Sequence, residues 1–152
     1  MYRNFAFLMG FVLASVMGLS KPAEASDGVE LKVAIVHALK SAGQIDAKIS
    51  KKMAKSLRTA FGQYKSFKLI SKTSNRLGND KRSEILLPTG DKAVVTYLGK
   101  KVGKKSKPVH KLALAIPKHK VKVNLSAVKK KLFYQAGIKH NGGILILAFY
   151  LK

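Results

Sequence analysis

The chain has 152 residues, 30 Lys+Arg against 7 Asp+Glu, a formal net charge of +23, no Cys, no Trp and 47% hydrophobic residues. That apolar content excludes a fully disordered basic tail, and the length provides for one domain. Without cysteine there is no disulfide, no Cys-ligated zinc or iron–sulfur cluster and no thiol nucleophile.

Arg3 gives a positive start, Phe5 to Leu19 is almost unbroken apolar sequence, and Lys21-Pro22 ends the run before Ala23-Glu24-Ala25. This layout predicts a secretory signal peptide over residues 1–25, cut between Ala25 and Ser26, and a single basic domain over 26–152 that is periplasmic or secreted. The apolar run is shorter than the roughly 20 residues a spanning helix needs. Removing Arg3, Lys21 and Glu24 hardly alters the charge balance. The remainder holds only three arginines, Arg58, Arg76 and Arg82, so its charge is carried by lysine. Lysine is a flexible point charge, which suits diffuse attraction to an anionic polymer better than bidentate readout.

Val29, Leu31, Val33 and Ile35 alternate with Glu30, Lys32 and Ala34, which predicts a first strand with one buried face, ended by Ser41-Ala42-Gly43. Asp46 is placed to cap a helix from Ala47 to about Phe61. On that helix Ile49, Met53, Leu57, Ala60 and Phe61 share one arc and Lys48, Lys51, Lys52, Lys55 and Arg58 the opposite one. Gly62 ends it. Tyr64 to Thr73 reads as a strand with Phe67, Leu69 and Ser71 on one face, and the polar segment Ser74 to Arg82 as a loop. Glu84–Leu87 and Ala93–Leu98 form a hairpin around Pro88-Thr89-Gly90-Asp91. Gly99 to Lys107 is an exposed loop, and Val109–Ile116 and Val121–Leu125 form a second hairpin around Pro117-Lys118-His119. After Lys129-Lys130-Lys131, Leu132–Tyr134 is a short strand. The turn His140-Asn141-Gly142-Gly143 leads into Ile144–Leu151, which is apolar on both faces and is therefore expected as a central strand. The sum is an α+β domain, a mainly antiparallel sheet of about six to seven strands with one amphipathic helix packed on it.

Ile45-Asp46 with the helix after it, Tyr64-Lys65-Ser66-Phe67-Lys68-Leu69, Leu87-Pro88-Thr89-Gly90 and Gly142-Gly143-Ile144-Leu145-Ile146-Leu147 together resemble an uncharacterised family of small exported bacterial domains. The motifs are turn and core residues. The resemblance therefore implies export and an α+β fold and carries no activity.

The chemistry-bearing residues are few. Acid–base hydrolysis needs two carboxyls at a fixed separation, and the acids after the signal segment have structural assignments: Asp27 in the N-terminal tail, Asp46 at a helix start, Asp80 and Asp91 in turns, Glu30 and Glu84 near strand starts. His37, His110, His119 and His140 are isolated from one another, and no Gly-x-Ser-x-Gly elbow accompanies them. His37 falls on the apolar face of the first strand and reads as a hydrogen-bonded core or edge residue, while His119 and His140 fall in turns and read as exposed. No metal-ligand spacing occurs. Gly99 to Ser106 has the glycine–lysine flavour of a phosphate-binding loop without its spacing, so the expectation is no enzyme, no cofactor and no metal.

The basic surface remains. It predicts a non-enzymatic exported domain that binds an anionic envelope polymer or membrane surface, with Lys100, Lys101, Lys104, Lys105 and Lys107 on the loop and Lys118, Lys120 and Lys122 on the next hairpin forming one anion-binding region. Aromatic residues do not interleave with these clusters, so base stacking is unsupported and specific genomic DNA is not the expected partner. The alternative is a module that docks another envelope protein through a sheet edge or hairpin loops, with the charge serving solubility.

Overall fold

The computed structural model describes residues 28–78 and 81–152, so the predicted signal peptide and its cleavage point, with Asp27 and Asp80, lie outside the described residues. Its elements are β1 (Val29–Leu39), α1 (Lys51–Ala60), β2 (Ser66–Leu77), β3 (Arg82–Leu86), β4 (Lys92–Lys101), β5 (Val109–Ile116), a single 3-10 turn (Pro117–His119), β6 (Val121–Val128), β7 (Leu132–His140) and β8 (Gly143–Leu151).

These strands form two four-stranded sheets, ordered β2-β1-β8-β7 and β3-β4-β5-β6, with antiparallel pairing throughout. The order is that of a meander laid around an open ring: within each sheet sequence neighbours pair, and β1 also pairs with β8. The ring is divided into two sheets where β2 passes to β3 and where β6 passes to β7. Asn75 Nδ2 donates to Ser83 Oγ across the first of these seams.

Two apolar layers hold this arrangement. Between the sheets lie Leu31, Val33 and Ile35 of β1, Leu145, Leu147, Phe149 and Leu151 of β8, Val95 and Tyr97 of β4, and Leu112, Leu114 and Ile116 of β5. On the outer face of the first sheet, Val36, Ala38, Phe67 and Ile146 meet Ile49 and Leu57 from the helical segment. β8 is thus covered on both faces and paired on both edges, by β1 and β7, which is the position its continuous apolar sequence predicts. A helix of ten residues does not hold itself in water, so α1 depends on this docking, with Leu57 completely buried.

The structure corrects several boundaries. The helix begins at Lys51 rather than Ala47, and its cap is Ser50, whose Oγ accepts from the Met53 amide, rather than Asp46. Asp46 instead accepts from the Lys48 amide through Oδ1 and from the Leu69 amide through Oδ2, tying the approach to the helix onto β2. Ser74–Leu77, expected as loop, is the last third of β2, and the short strand at Leu132 runs to His140. The eight strands in two sheets replace the expected six or seven in one.

Bulges account for much of the misreading. In β2, Leu69 pairs with Val36 and Ser71 with Ile35, so the extra residue Ile70 leaves Leu69 under the helix and turns Ser71 to the opposite face. Phe67, Leu69 and Ser71 therefore do not share one face. In β7 the same shift lies between Ala136 and Ile138, with Gly137 at φ 113° supplying the backbone that other residues rarely adopt.

Candidate anion-binding site

β5 joins the two predicted lysine clusters and also separates them. Lys101 pairs with Val109 at one end of the strand, and Ile116 pairs with Val121 at the other. Seven steps of about 3.4 Å put these ends roughly 24 Å apart. The expectation of one contiguous region is therefore wrong: Lys100, Lys101, Lys104, Lys105 and Lys107 lie at one end of the second sheet, and Lys118, Lys120 and Lys122 at the other.

The far end is partly neutralised. Lys118 Nζ lies 2.9 Å from Asp91 Oδ1, and His119 Nε2 lies 2.9 Å from Asp91 Oδ2, joining the β3–β4 and β5–β6 turns. The Lys118 hydrogen bond holds the Asp91 carboxyl below the ordinary aspartate value, with Thr89 and His119 assisting against partial desolvation. His119 is thus a turn-to-turn tie and not a freely exposed residue. Lys120, at φ 53°, follows the 3-10 turn, and Lys122 is exposed on the edge strand β6.

The near end gains a set of lysines that sequence reading passed over. Val109 pairs with Val128, so the β6–β7 turn carrying Lys129, Lys130 and Lys131 emerges beside the β4–β5 loop. The turn is fixed where it crosses between sheets, because the Lys130 amide donates to the Leu151 carbonyl at 2.7 Å. A groove of about 390 Å³ opens there, lined by Lys100, Lys107, Lys129 and Lys130 with Pro108, Val128 and His110. Lys104 and Lys105 stand on the exposed tip of the adjoining loop, and Lys101 is exposed on the strand leading into it.

Strand register builds this groove. Tyr97 pairs with Leu112, but a bulge centred on Leu98 delays the next partner, so that Gly99 faces Lys111 and Lys100 faces His110. Directly opposed residues share a face, and the extra residue therefore brings Lys100 rather than Lys101 onto the side of His110. Gly99 has φ 108°, where a Cβ is strained. His110 in turn lies in phase with Leu112, Leu114 and Ile116, which makes it the last member of the interior row.

His110 is 3% exposed. Its Nδ1 is 2.9 Å from Tyr97 Oη, and its Nε2 is buried with no hydrogen-bond partner among the described residues. Burial, reinforced by the positive charges of Lys129 and Lys100, pushes its pKa below the ordinary histidine value, so the ring is neutral around pH 7.

The other polar groups are committed elsewhere. Glu30 accepts from Ser74 Oγ and neighbours Lys32 and Lys152, and Glu84 accepts from Lys92 at 2.7 Å. His37 Nε2 lies 2.9 Å from the His140 carbonyl, and the two rings meet edge to face, so both are structural rather than loose in a turn. A larger concavity, about 640 Å³, lies on the outer face of the first sheet beyond the N-terminal end of α1, over Ala34 and Ala148. Lys72, on its rim, donates to the Lys48 carbonyl, and Glu30 is paired as above. The smaller groove has the stronger chemical signature: converging cations over an unpartnered buried nitrogen.

No protein-family model, curated protein or solved structure matches this chain. Among the described residues no helix is long and apolar enough to cross a membrane.

Proposed function

We propose that the protein is an exported, non-enzymatic domain that holds an anionic envelope polymer at the end of its second sheet where the β4–β5 loop and the β6–β7 turn meet. The observation that supports this reading is the convergence of Lys100, Lys107, Lys129 and Lys130 on one groove, with Lys101, Lys104 and Lys105 on the adjoining strand and loop. Lysine ammonium groups attract phosphate as point charges and impose no fixed fork, which fits a polymer of irregular geometry. The opposite end, with Lys118 bound to Asp91, plays the smaller part.

The test is binding to a phosphate-rich cell-wall polymer across a salt series, with anionic vesicles as a second surface. Changing Lys104, Lys105, Lys107, Lys129 and Lys130 to Glu is expected to abolish binding, whereas Lys120→Glu with Lys122→Glu leaves most of it. In the wild type, affinity falls steeply as salt rises, because several ion contacts are exchanged for counterions. Salt-independent affinity, or equal loss from either end, refutes the reading. Salt-independent capture of a protein partner instead favours a docking module that uses a sheet edge.

A further inference from the structure

We infer that the groove contains a discrete site for a single phosphate group, in which His110 Nε2–H is the inner hydrogen-bond donor and Lys107, Lys129 and Lys130 supply the surrounding positive charge. The inference deepens the polymer-binding reading and rests on it for the biological source of the phosphate.

The argument begins with the orphaned nitrogen. Buried polar atoms are nearly always hydrogen-bonded, and leaving one without a partner costs about 1–3 kcal/mol. His110 Nδ1 is occupied by Tyr97 Oη, and Nε2 is buried and unpaired beneath a groove whose lining includes the same side chain. An interior position next to Leu112 would ordinarily be filled by an apolar residue. A histidine there leaves the protein with an unmet hydrogen bond, and an anion oxygen is the partner that the surrounding lysines attract.

Charge selects the class of anion. Several ammonium groups over one buried donor exceed what a lone carboxylate neutralises, and none of the groove's cations is an arginine of the kind that forks onto carboxylates. A phosphate group offers oxygens in several directions, so one can meet Nε2, which is covered, after a local movement of the side chains above it, while the others meet the lysines. The backbone is shaped for this contact: the Gly99 bulge brings Lys100 to the His110 side, and Lys130 holds φ 65° in the turn that brings it to the groove.

The site also couples to protons. Among the described residues, the charged and titratable groups around His110 are Tyr97 and Lys100 from β4, Lys107 from the β4–β5 loop, and Lys129 and Lys130 from the β6–β7 turn. Without an anion, burial and the cations keep the imidazole neutral. A bound phosphate offsets those cations and favours the imidazolium, which donates from both nitrogens. Binding therefore raises the proton affinity of His110 against the burial that lowers it, and the proton uptake linked to it grows as pH falls toward the ordinary histidine value.

The probe is inorganic phosphate, observed through the ring nitrogens of His110 by NMR and by calorimetry in buffers of different ionisation enthalpy. Titration is expected to shift the Nε2 resonance of the wild type, with no comparable shift from acetate at equal ionic strength. His110→Gln is expected to weaken phosphate binding about tenfold, as loss of a hydrogen bond to a charged group does. It should also remove the proton uptake in excess of phosphate's own titration, which the variant reports directly. If His110→Gln unfolds, the wild-type spectrum still decides the question. Polymer binding that persists while Nε2 stays unmoved overturns the discrete site and leaves the diffuse reading intact. Absence of polymer binding together with a phosphate-dependent Nε2 shift overturns the polymer reading and keeps the site.

Discussion

Replacing Lys130 by glycine should separate what the β6–β7 turn does for folding from what it does for binding. Lys130 has φ 65°, in the left-handed region, where a residue with a Cβ is disfavoured by about 1–2 kcal/mol. Glycine relieves that strain and returns about 0.4–1 kcal/mol through the greater freedom of the unfolded chain. The balance favours Lys130→Gly by roughly 0.5–1 kcal/mol, or about 2–5 °C in Tm for a domain of this size. The Lys130 amide still donates to the Leu151 carbonyl, because the backbone bond is untouched. Binding should move the other way, since one of the groove's cations is gone. Lys120→Gly is the control: φ there is 53°, so the same gain is expected, but the residue lies at the opposite end of β5 and polymer affinity should hardly change. Differential scanning calorimetry and a salt-resolved binding curve on both variants make the comparison. A lowered Tm for Lys130→Gly would show that the lysine stem contributes packing that outweighs its backbone strain. Equal loss of affinity in both variants would refute the division of the charged surface into two ends.

Leu57→Ala should destabilise the domain by about 2–5 kcal/mol, because Leu57 is completely buried between α1 and the first sheet; urea unfolding followed by far-UV circular dichroism reads it. Truncation after Gly143 should abolish the cooperative transition, since β8 supplies a partner to both β1 and β7, and a shortened chain that still melts sharply would contradict the sheet order. Asp91→Asn should destabilise at neutral pH and progressively less in acid. The Asp91 carboxyl is held below its ordinary value of 3.8, chiefly by Lys118, so its contribution is complete above that value and is lost as pH falls through the lower folded value. Urea midpoints at pH 6 and pH 3 check the sign.

Legibility of the fold from sequence followed the regularity of the side-chain period. β5 has the bounds expected of it because Pro108 and Pro117 flank Val109 to Ile116, and β8 lies inside its sheet because nothing polar interrupts Ile144 to Leu151. β2 and β7 run beyond the ends expected at Thr73 and Tyr134, because Ser74, Asn75 and Arg76 give the end of β2 the polarity of a loop and the bulge at Gly137 shifts the period-two phase of β7. The helix start was misplaced for another reason: Asp46 and Ser50 are both capping residues, and only the contact of Asp46 with Leu69, twenty-three positions away, removes it from that role. The candidate site was legible in part. The loop lysines were recognisable by their density, and the phase of His110 with Leu112, Leu114 and Ile116 was a readable sign of burial. That Lys129 and Lys130 join the loop, and that Lys118, Lys120 and Lys122 do not, depends on which end of β5 each turn occupies. Connectivity alone was read as proximity, although a hairpin strand separates its two flanking turns by its whole length.

The two-sheet meander also bears on how a strongly basic chain places its charge. Its interior accepts apolar side chains from one face of every strand, and α1 covers part of the outer face of the first sheet, so lysines are confined to the exposed outer faces, the edges and the turns. At the ends of the ring, turns from different strand pairs meet, and lysines far apart in sequence come together without any strand having to carry a charged run. The two ends then differ by what lies below them. At one end Asp91 is placed among Lys118, His119 and Thr89, and part of the charge is satisfied internally. At the other, the interior row terminates in His110, whose second ring nitrogen has no partner among the described residues. An internal acid makes the first end a structural joint, and a buried ring nitrogen without a partner among the described residues, beside Lys107, Lys129 and Lys130, is the feature on which the proposed anion site rests.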